Sequence, residues 1–448
     1  MLRREIAKLA LLCYDRDISN YLKEARDLFS SSLEVKKNLQ KDKLSKLLIH
    51  AYKNTVYYKN VFDDIGLIKG HAVDWERYHK IPLLTKEIIR ARKKDLLSND
   101  AGSRESYNNT SGGSTGVPVE FVQDKEYYRK MVADTILSSE VNGKMLGDRA
   151  IKLWGDEREI LKIKSSFKEK LINIFYNRMI LNSFLMTPEK MGQYIKIINS
   201  KKPREILAYV DSIYELARFI LDKNIKVFNP QNIICTAGTL YPDIKERIKR
   251  AFPGSKVLNQ YGSREVGIIS IDMPIDSMQV FTHSIALELC NLSTGNYIKG
   301  GPGNIIVTCL NNYSMPLIRF DIGDIGEGDM ESYNDIPDSY TFSTLKNVKG
   351  RINSHFKKRD GMIIHGEYFT HLFYHLSWVE SFRVVQHDYL DIEVFLKICG
   401  EKDQAALDTV EKNIKKVMGE DCKVNFRVVE KIDKLSSGKY QFVFSEVR

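Results

Sequence analysis

The chain is poor in the features that staple extracellular domains or anchor membrane proteins. Its six cysteines, Cys13, Cys235, Cys290, Cys309, Cys399 and Cys422, lie far apart, and no two form a CxxC pair. That spacing offers neither a disulfide framework nor a zinc ribbon, and it suits reduced thiols in a cytoplasmic protein. No uninterrupted apolar run is long enough to span a bilayer. The opening MLRREIAKLALLCYDRD has the outline of a signal peptide, but Lys8 interrupts its apolar stretch and no small-residue cleavage site follows. Internal repeats, low-complexity tracts and recognised nucleic-acid modules are also missing. So is any long block of one charge sign. The net charge of +10 comes from short clusters such as Lys36-Lys37, Lys93-Lys94, Lys201-Lys202 and Lys357-Lys358-Arg359, scattered among acids. A nucleic-acid partner is therefore not expected and membrane association is expected to be peripheral at most, although a non-enzymatic nucleic-acid or membrane-surface binding protein stays the alternative reading of the positive charge.

What is present is an ordinary globular composition, 43% hydrophobic and 28% charged over 448 residues. The first hundred residues carry helical spacing, in LSKLLIHAYKNTVYYKNVF and in a proline-started helix, IPLLTKEIIRARKKDLL. From about Glu126 to Ser270, helical patterns such as DSIYELARFILDK and PDIKERIKRAF alternate with short apolar runs, RAIKLWG, EILAYV, NIICTAG and SKVLNQYG. That alternation predicts parallel strands with helices on their faces. Past residue 280 the texture changes to short strands, IALELC, GNIIVTCL and PLIRFDIGD. After VKGR the tail reads as strand, helix and strand in DIEVFLKI, DQAALDTVEKNIKKVMG and KVNFRVVEKI. The fold class is α/β: a large multi-layer N-terminal domain with parallel-type sheets and helices over 1–350, and a small mobile α+β C-terminal domain over 351–448. The FKKRDG stretch, Phe356 to Gly361, is either an exposed link or a tight hairpin within the small domain.

One short span carries unusual chemistry. YNNTSGGSTGVPVEF, Tyr107 to Phe121, crowds glycines with hydroxyl and amide side chains. Glycines let consecutive N–H groups face one point, and Ser and Thr add hydroxyl donors, so the loop is either a solvated connector or a cradle for a phosphate chain. It is not a Walker loop, because no lysine stands within it, and any phosphate chemistry must draw its cation from elsewhere. His371 and His375 lie four apart in HLFYH, but no glutamate follows the first as a HExxH site requires. Their neighbours Phe373, Tyr374 and Trp378 indicate packing, and no structural metal is expected.

In order and spacing, SGGSTGVP, NQYGSREVG, IRFDIGDIG, GRINSHFKKRDGMIIHGEYF and KLSSGKYQFVFSEV together resemble the adenylate-forming ligase superfamily. The likeness is to its phenylacetate-CoA ligase-like branch, which includes capsular-polysaccharide biosynthesis proteins, and it runs almost end to end. It implies ATP-dependent activation of a carboxylic acid as acyl-adenylate, with pyrophosphate released. Acyl transfer follows to coenzyme A, a carrier-protein thiol or a sugar amine. Such chemistry brings two anions together at a crowded phosphoryl centre, so donors and a cation are required.

The resemblance assigns Ser111, Ser114, Thr115 and the amides of Gly112, Gly113 and Gly116 to the phosphates, and Glu265 to Mg²⁺. Tyr261 and Gly262, with Gly238 and Thr239 of the TAGT stretch, would frame adenine. Asp324 would accept from both ribose hydroxyls, and Arg351 would contact ribose or phosphate. Lys439 would supply the missing cation when the small domain closes. Trp154, Tyr209, Asp211 and Ser212 fall in segments similar to the walls of the acid site. Three departures stand out: Val119 where the loop often carries lysine, Arg264 where threonine usually precedes the glutamate, and Asn353 where the hinge commonly has aspartate.

Overall fold

The computed structural model describes residues 2–111, 119–155, 173–174, 176–183, 186–238, 240, 242–273, 277–291, 295–328, 333–336, 339–348, 356–360, 362–364, 366–373, 376, 378–432 and 443–447. Helices α1 (Leu2–Tyr14), α2 (Arg16–Phe29), α3 (Leu33–Asn54) and α4 (Val56–Ile65) open the chain. Asp15, Ser32 and Thr55 start the last three, each accepting from the N–H of Asp17, Val35 or Tyr58. The run that reads as one helical pattern in sequence is split at Thr55, whose extended backbone ends α3 while its hydroxyl caps α4. A ribbon of β1 (Ile68–Lys69) and β2 (Ala72–Val73) follows. Helix α5 (Lys86–Leu96) begins behind its cap Thr85 rather than at Pro82, because Leu84 is drawn into a bridge with Phe320.

The glycine-rich span sits between β3 (Tyr107–Thr110) and β4 (Glu120–Gln123), which pair as a hairpin before α6 (Lys125–Glu140). Five parallel strands come next: β5 (Ala150–Leu153), β6 (Arg178–Leu181), β7 (Glu205–Tyr209), β8 (Asn232–Thr236) and β9 (Lys256–Ser263). Helices α7 (Pro188–Lys201), α8 (Val210–Asp222) and α9 (Pro242–Ala251) connect the later ones. Under these helices lie Ile151, Ile206, Ala208, Ile233 and Val257. On the other face α1, α2 and α6 bury Ala7, Leu11, Ile18, Leu22 and Ile136 with Ile234, Ile268 and Ile271.

The parallel order does not stop the sheet. Strands β10 (Gly267–Asp272), β11 (Met278–Val280), β12 (Ile285–Cys290), β13 (Gly301–Cys309) and β14 (Phe320–Gly328) extend it with antiparallel pairing. After a separate hairpin of β15 (Tyr333–Ile336) and β16 (Ser339–Phe342), β17 (Thr344–Val348) closes the gap between β14 and β11. The result is one eleven-stranded sheet, ordered β12-β13-β14-β17-β11-β10-β9-β8-β7-β5-β6. Parallel pairing thus accounts for one half of the sheet, not all of it.

From Phe356 onward the chain has its own core, with Phe356, Phe369, Phe382, Val394, Leu407 and Ile414 buried together. A ribbon of β18 (Phe356–Lys357) and β19 (Ile363–Ile364) leads through α10 (Gly366–His371) to β20 (Val379–Asp388), β21 (Asp391–Ile398), α11 (Gln404–Met418), β22 (Lys423–Val428) and β23 (Val443–Ser445). The sheet order is β22-β21-β20-β23, a small α+β unit. FKKRDG lies in the β18–β19 hairpin, closed by the Lys358 N–H donating to the Met362 carbonyl at 2.8 Å. The fully buried amide of Gln386 fastens this unit at both ends. It accepts from Lys357 N at 2.9 Å, donates to Lys357 O at 2.6 Å and accepts from Ser445 Oγ at 2.7 Å. The expected boundary at Gly350 lies outside the described residues.

Candidate active site

Strand β9 carries Tyr261 and Gly262 to the point where pairing changes from parallel to antiparallel. A side chain at Gly262 would place Cβ 2.5 Å from the Gly267 carbonyl, so only glycine allows the two strands to meet there. Gly267, at φ +80°, completes the tight reversal that holds Glu265, itself 5% exposed. A bulge between Ile268 and Ser270 stands opposite Tyr261 and turns its strand.

Gln123, 1% exposed, anchors this turn from outside the large sheet. Its Nε2 donates to the carbonyls of Arg264 at 2.9 Å and Glu265 at 3.3 Å, and its Oε1 accepts from Asn109 Nδ2 at 2.9 Å. The hairpin of the glycine-rich span and the turn of Glu265 are therefore one joined piece. At the neck of that hairpin, Ser111 N–H donates to Val119 O at 2.9 Å and Val119 N–H donates to Ser111 Oγ at 2.8 Å. Accepting this bond leaves the Ser111 hydroxyl proton to point elsewhere. Val119, the position where lysine is common, is 1% exposed in the core, so a cation there would be buried without water.

Strand β14 supplies Asp324 through a second bulge. Asn304 faces Ile325 while Ile306 faces Asp321, so Ile322 to Asp324 loop out of the ladder. Gly323 takes φ +83° and donates its N–H to Asp321 Oδ1 at 2.9 Å. The bulge turns Asp324 toward β9, where Tyr261 Oη donates to Asp324 Oδ2 at 2.9 Å. Two motifs 63 residues apart thus meet in one hydrogen bond.

The other expected residues lie along the carboxyl ends of the parallel strands. β5 leads outward to β6, whereas β7 leads the opposite way to β8, so the strand order reverses between β5 and β7. Such a reversal is where open α/β sheets bind ligands. Trp154 and Tyr209, just past β5 and at the end of β7, stack across it with ring centroids 4.1 Å apart. Lys152 Nζ lies 3.8 Å from the Trp154 ring centroid, and Ser212 Oγ donates to Ser183 O at 3.2 Å. Beyond β8, Ala237 has φ +59° and Gly238 packs so closely that its Cβ would lie 3.0 Å from Val210. The strand order places β8 between the Trp154–Tyr209 pair and the Tyr261–Asp324 pair.

Gly112, Gly113, Ser114, Thr115, Gly116, Thr239, Arg351, Asn353, His375 and Lys439 lie outside the described residues, as does the side chain of Asp211. Among the described residues, no group of three or more His, Cys, Asp or Glu side chains is arranged to hold a metal ion. The Glu265 carboxylate has no hydrogen-bond or ionic partner among the described residues, which fits a carboxylate that binds a hard cation together with ligand phosphates and water.

Several supporting residues carry no motif signal. Asp124 caps α6 through Tyr127 N and accepts from the N–H groups of Tyr313 and Ser314. Arg319, inside the IRFDIGD stretch, is 4% exposed and pairs with buried Glu288 at 3.1 Å, while Tyr78 Oη donates to the other Glu288 oxygen at 3.0 Å. Their partners lie far away in sequence, so only a buried polar residue in an apolar context could have hinted at them.

This fold is shared with solved structures of a CoA ligase. The chain has the fold of 2-hydroxyisobutyryl-CoA ligase. It is similar to that protein in complex with 2-HIB-AMP and CoA in the thioesterification state, at TM-score 0.57 and 17% identity, covering 93% of this chain and 91% of that one. The postadenylation state with 2-HIB-AMP gives TM-score 0.56 at 16% identity, with the same coverage. In sequence, the chain is 25% identical over 439 residues to Protein CapK of Staphylococcus aureus, covering 95% of this chain and 91% of that protein. The family described as the CapK C-terminal domain matches residues 356–446.

Proposed function

We propose that this protein activates a carboxylic acid with ATP and passes the acyl group to an acceptor thiol, coenzyme A. The observation that carries this reading is the Tyr261–Asp324 hydrogen bond beside the buried turn of Glu265, toward the carboxyl end of strand β9. In the first half, a carboxylate oxygen attacks the α-phosphorus, the bond to the β-phosphate breaks, and pyrophosphate leaves. In the second, a thiolate attacks the acyl carbon and AMP departs. Asp324 would accept from the ribose, Tyr261 would border adenine with Gly238 and Thr239, and Ser111 to Gly116 would hold the phosphates that leave. Glu265 would hold Mg²⁺, which lessens repulsion between the reacting anions. The Trp154–Tyr209 pair, with Ser212 and Asp211, would take the acid. Lys439 and Arg351 would complete the charge balance from the small domain.

Similarity to Protein CapK along most of the chain supports a setting in surface or capsular polysaccharide synthesis. In that setting a carrier-protein thiol or a sugar amine is an alternative acceptor. A carboxylic-acid library assayed for pyrophosphate release, with and without coenzyme A, tests the proposal. Release with particular acids is expected, and thiol dependence of full turnover identifies the acceptor. ATP binding without release for any acid would leave only a nucleotide-binding protein. Lys439→Ala is expected to slow release at least about 100-fold, with ATP affinity nearly unchanged, because the lysine acts on charge that develops in the transition state.

A further inference from the structure

Helix α1 is docked by one face and bare on the other. Ala7 and Leu11 are buried against α2 and α6, and a Cβ at Gly147 would lie 2.9 Å from Ala7 Cβ, so the helix is pressed onto the body. Arg4 locks it there through two bonds to Asp148, at 2.8 and 2.9 Å. On the opposite face Ile6, Leu9 and Leu12 are 53%, 61% and 44% exposed, while Tyr14, on the Ala7 side at the helix end, is 40% exposed. These are four of the twelve large hydrophobic residues exposed among the described residues, gathered on one helix of 13 residues. Single exposed hydrophobics need no explanation, but a helical stripe of them does.

The charges around the stripe indicate what covers it. Glu5, which lies on this same face between Leu9 and Leu12, is held by Lys8 at 2.9 Å, and Asp15 and Asp17 are both held by Arg129, at 2.8 and 2.9 Å. Arg3 and Arg16 are exposed and have no ionic partner among the described residues. The carboxylates here are neutralised, and the remaining charge is positive. A second copy of the chain would bring the same unpaired arginines toward one another, and a stable protein interface engages roughly 20–30 residues a side, far more than one stripe. An anionic bilayer matches both features. We propose that α1 is a membrane-interface helix that sinks Ile6, Leu9 and Leu12 into the headgroup boundary of an anionic lipid surface, with Arg3 and Arg16 meeting the lipid phosphates. The helix lies on the membrane and does not cross it, and no helix among the described residues is long and apolar enough to do so.

The test is co-sedimentation of the full chain with phosphatidylglycerol–phosphatidylcholine vesicles and with phosphatidylcholine vesicles, at low and high salt. Binding to the anionic vesicles, weakened by salt, is expected. The I6E/L9E double variant should lose at least about tenfold in partition coefficient, since two inserted apolar side chains become charged. Arg3→Gln and Arg16→Gln should each lose about fivefold. All four positions are solvent-exposed, so the thermal unfolding midpoint should not move, and this control separates lost binding from lost folding. Failure of the wild type to bind anionic vesicles would overturn the proposal, as would equal binding by I6E/L9E. A lipid-independent dimer that disappears in I6E/L9E would assign the face to a second copy instead. None of these outcomes depends on pyrophosphate release, so this inference and the proposed adenylation stand or fall separately.

Discussion

The two halves of the eleven-stranded sheet present their site residues by different means. In the parallel half, Trp154, Tyr209 and Gly238 come to the carboxyl edge simply because strands in register end together; Tyr209 pairs with Thr236 and Cys235 with Asn259. In the antiparallel half the strands pass the site side-on, and a residue faces it only if the ladder is broken. The bulges at Ile268–Ser270 and Ile322–Asp324 do this for Tyr261 and Asp324. The parallel edge is thus a consequence of topology, whereas the antiparallel wall depends on individual glycines and buried polar ties. Substitutions should therefore harm the antiparallel side more.

The strongest challenge to that contrast is Arg319→Met. Removing the guanidinium leaves Glu288 buried and uncompensated, and a loss of about 3–5 kcal/mol is expected in denaturant unfolding. A loss below about 1 kcal/mol would show that the antiparallel wall does not rest on this pair. Asp324→Ala comes next. It should raise the dissociation constant for ATP at least about tenfold, through lost hydrogen bonds to ribose, with little change in unfolding free energy. Unchanged nucleotide affinity would separate the Tyr261–Asp324 contact from nucleotide binding. Gln123→Ala, which strips a partner from the Arg264 and Glu265 carbonyls, should cost about 1–3 kcal/mol of stability and slow pyrophosphate release. Normal activity in this variant would show that the Glu265 turn holds itself.

The smallest effect is expected in the parallel half. Burial holds the Glu205 carboxyl above its usual value, against the opposing pull of Lys144 and the Ser139 hydroxyl, which donates at 2.9 Å. A carboxyl whose folded value is raised binds its proton more tightly when folded. Its stabilising contribution is full below the unfolded value and declines as pH rises toward the folded one. As pH rises above the ordinary glutamate range, wild-type stability should fall more than that of Glu205→Gln. Parallel pH profiles for the two proteins would remove Glu205 as the cause.

How much of this was legible in the sequence follows the same division. Alternating helix and strand patterns located β5, β7, β8 and β9 and the helices α8 and α9, because each segment's periodicity is local, whereas β6 and α7 were not singled out. Tyr261 and Asp324 were singled out from separate motifs, and they touch. The continuity of the sheet past β9 was hidden, since β12 is buried at all six positions and shows no alternation to reveal its pairing. The start of α5 was misplaced because a tertiary bridge at Leu84, not Pro82, decides where the chain can turn into a helix. Gln123 left no trace, because its worth lies in carbonyls more than 140 residues away.

The buried amide of Gln386 has a consequence for how the small unit can move. The strand by which the chain comes into that unit and the strand by which it leaves are clasped by one side chain, through Lys357 and Ser445. Whatever path the intervening segments take, their stems are cut from a single block. Phe356 and Val443 therefore belong to one block, and neither can be displaced without the other.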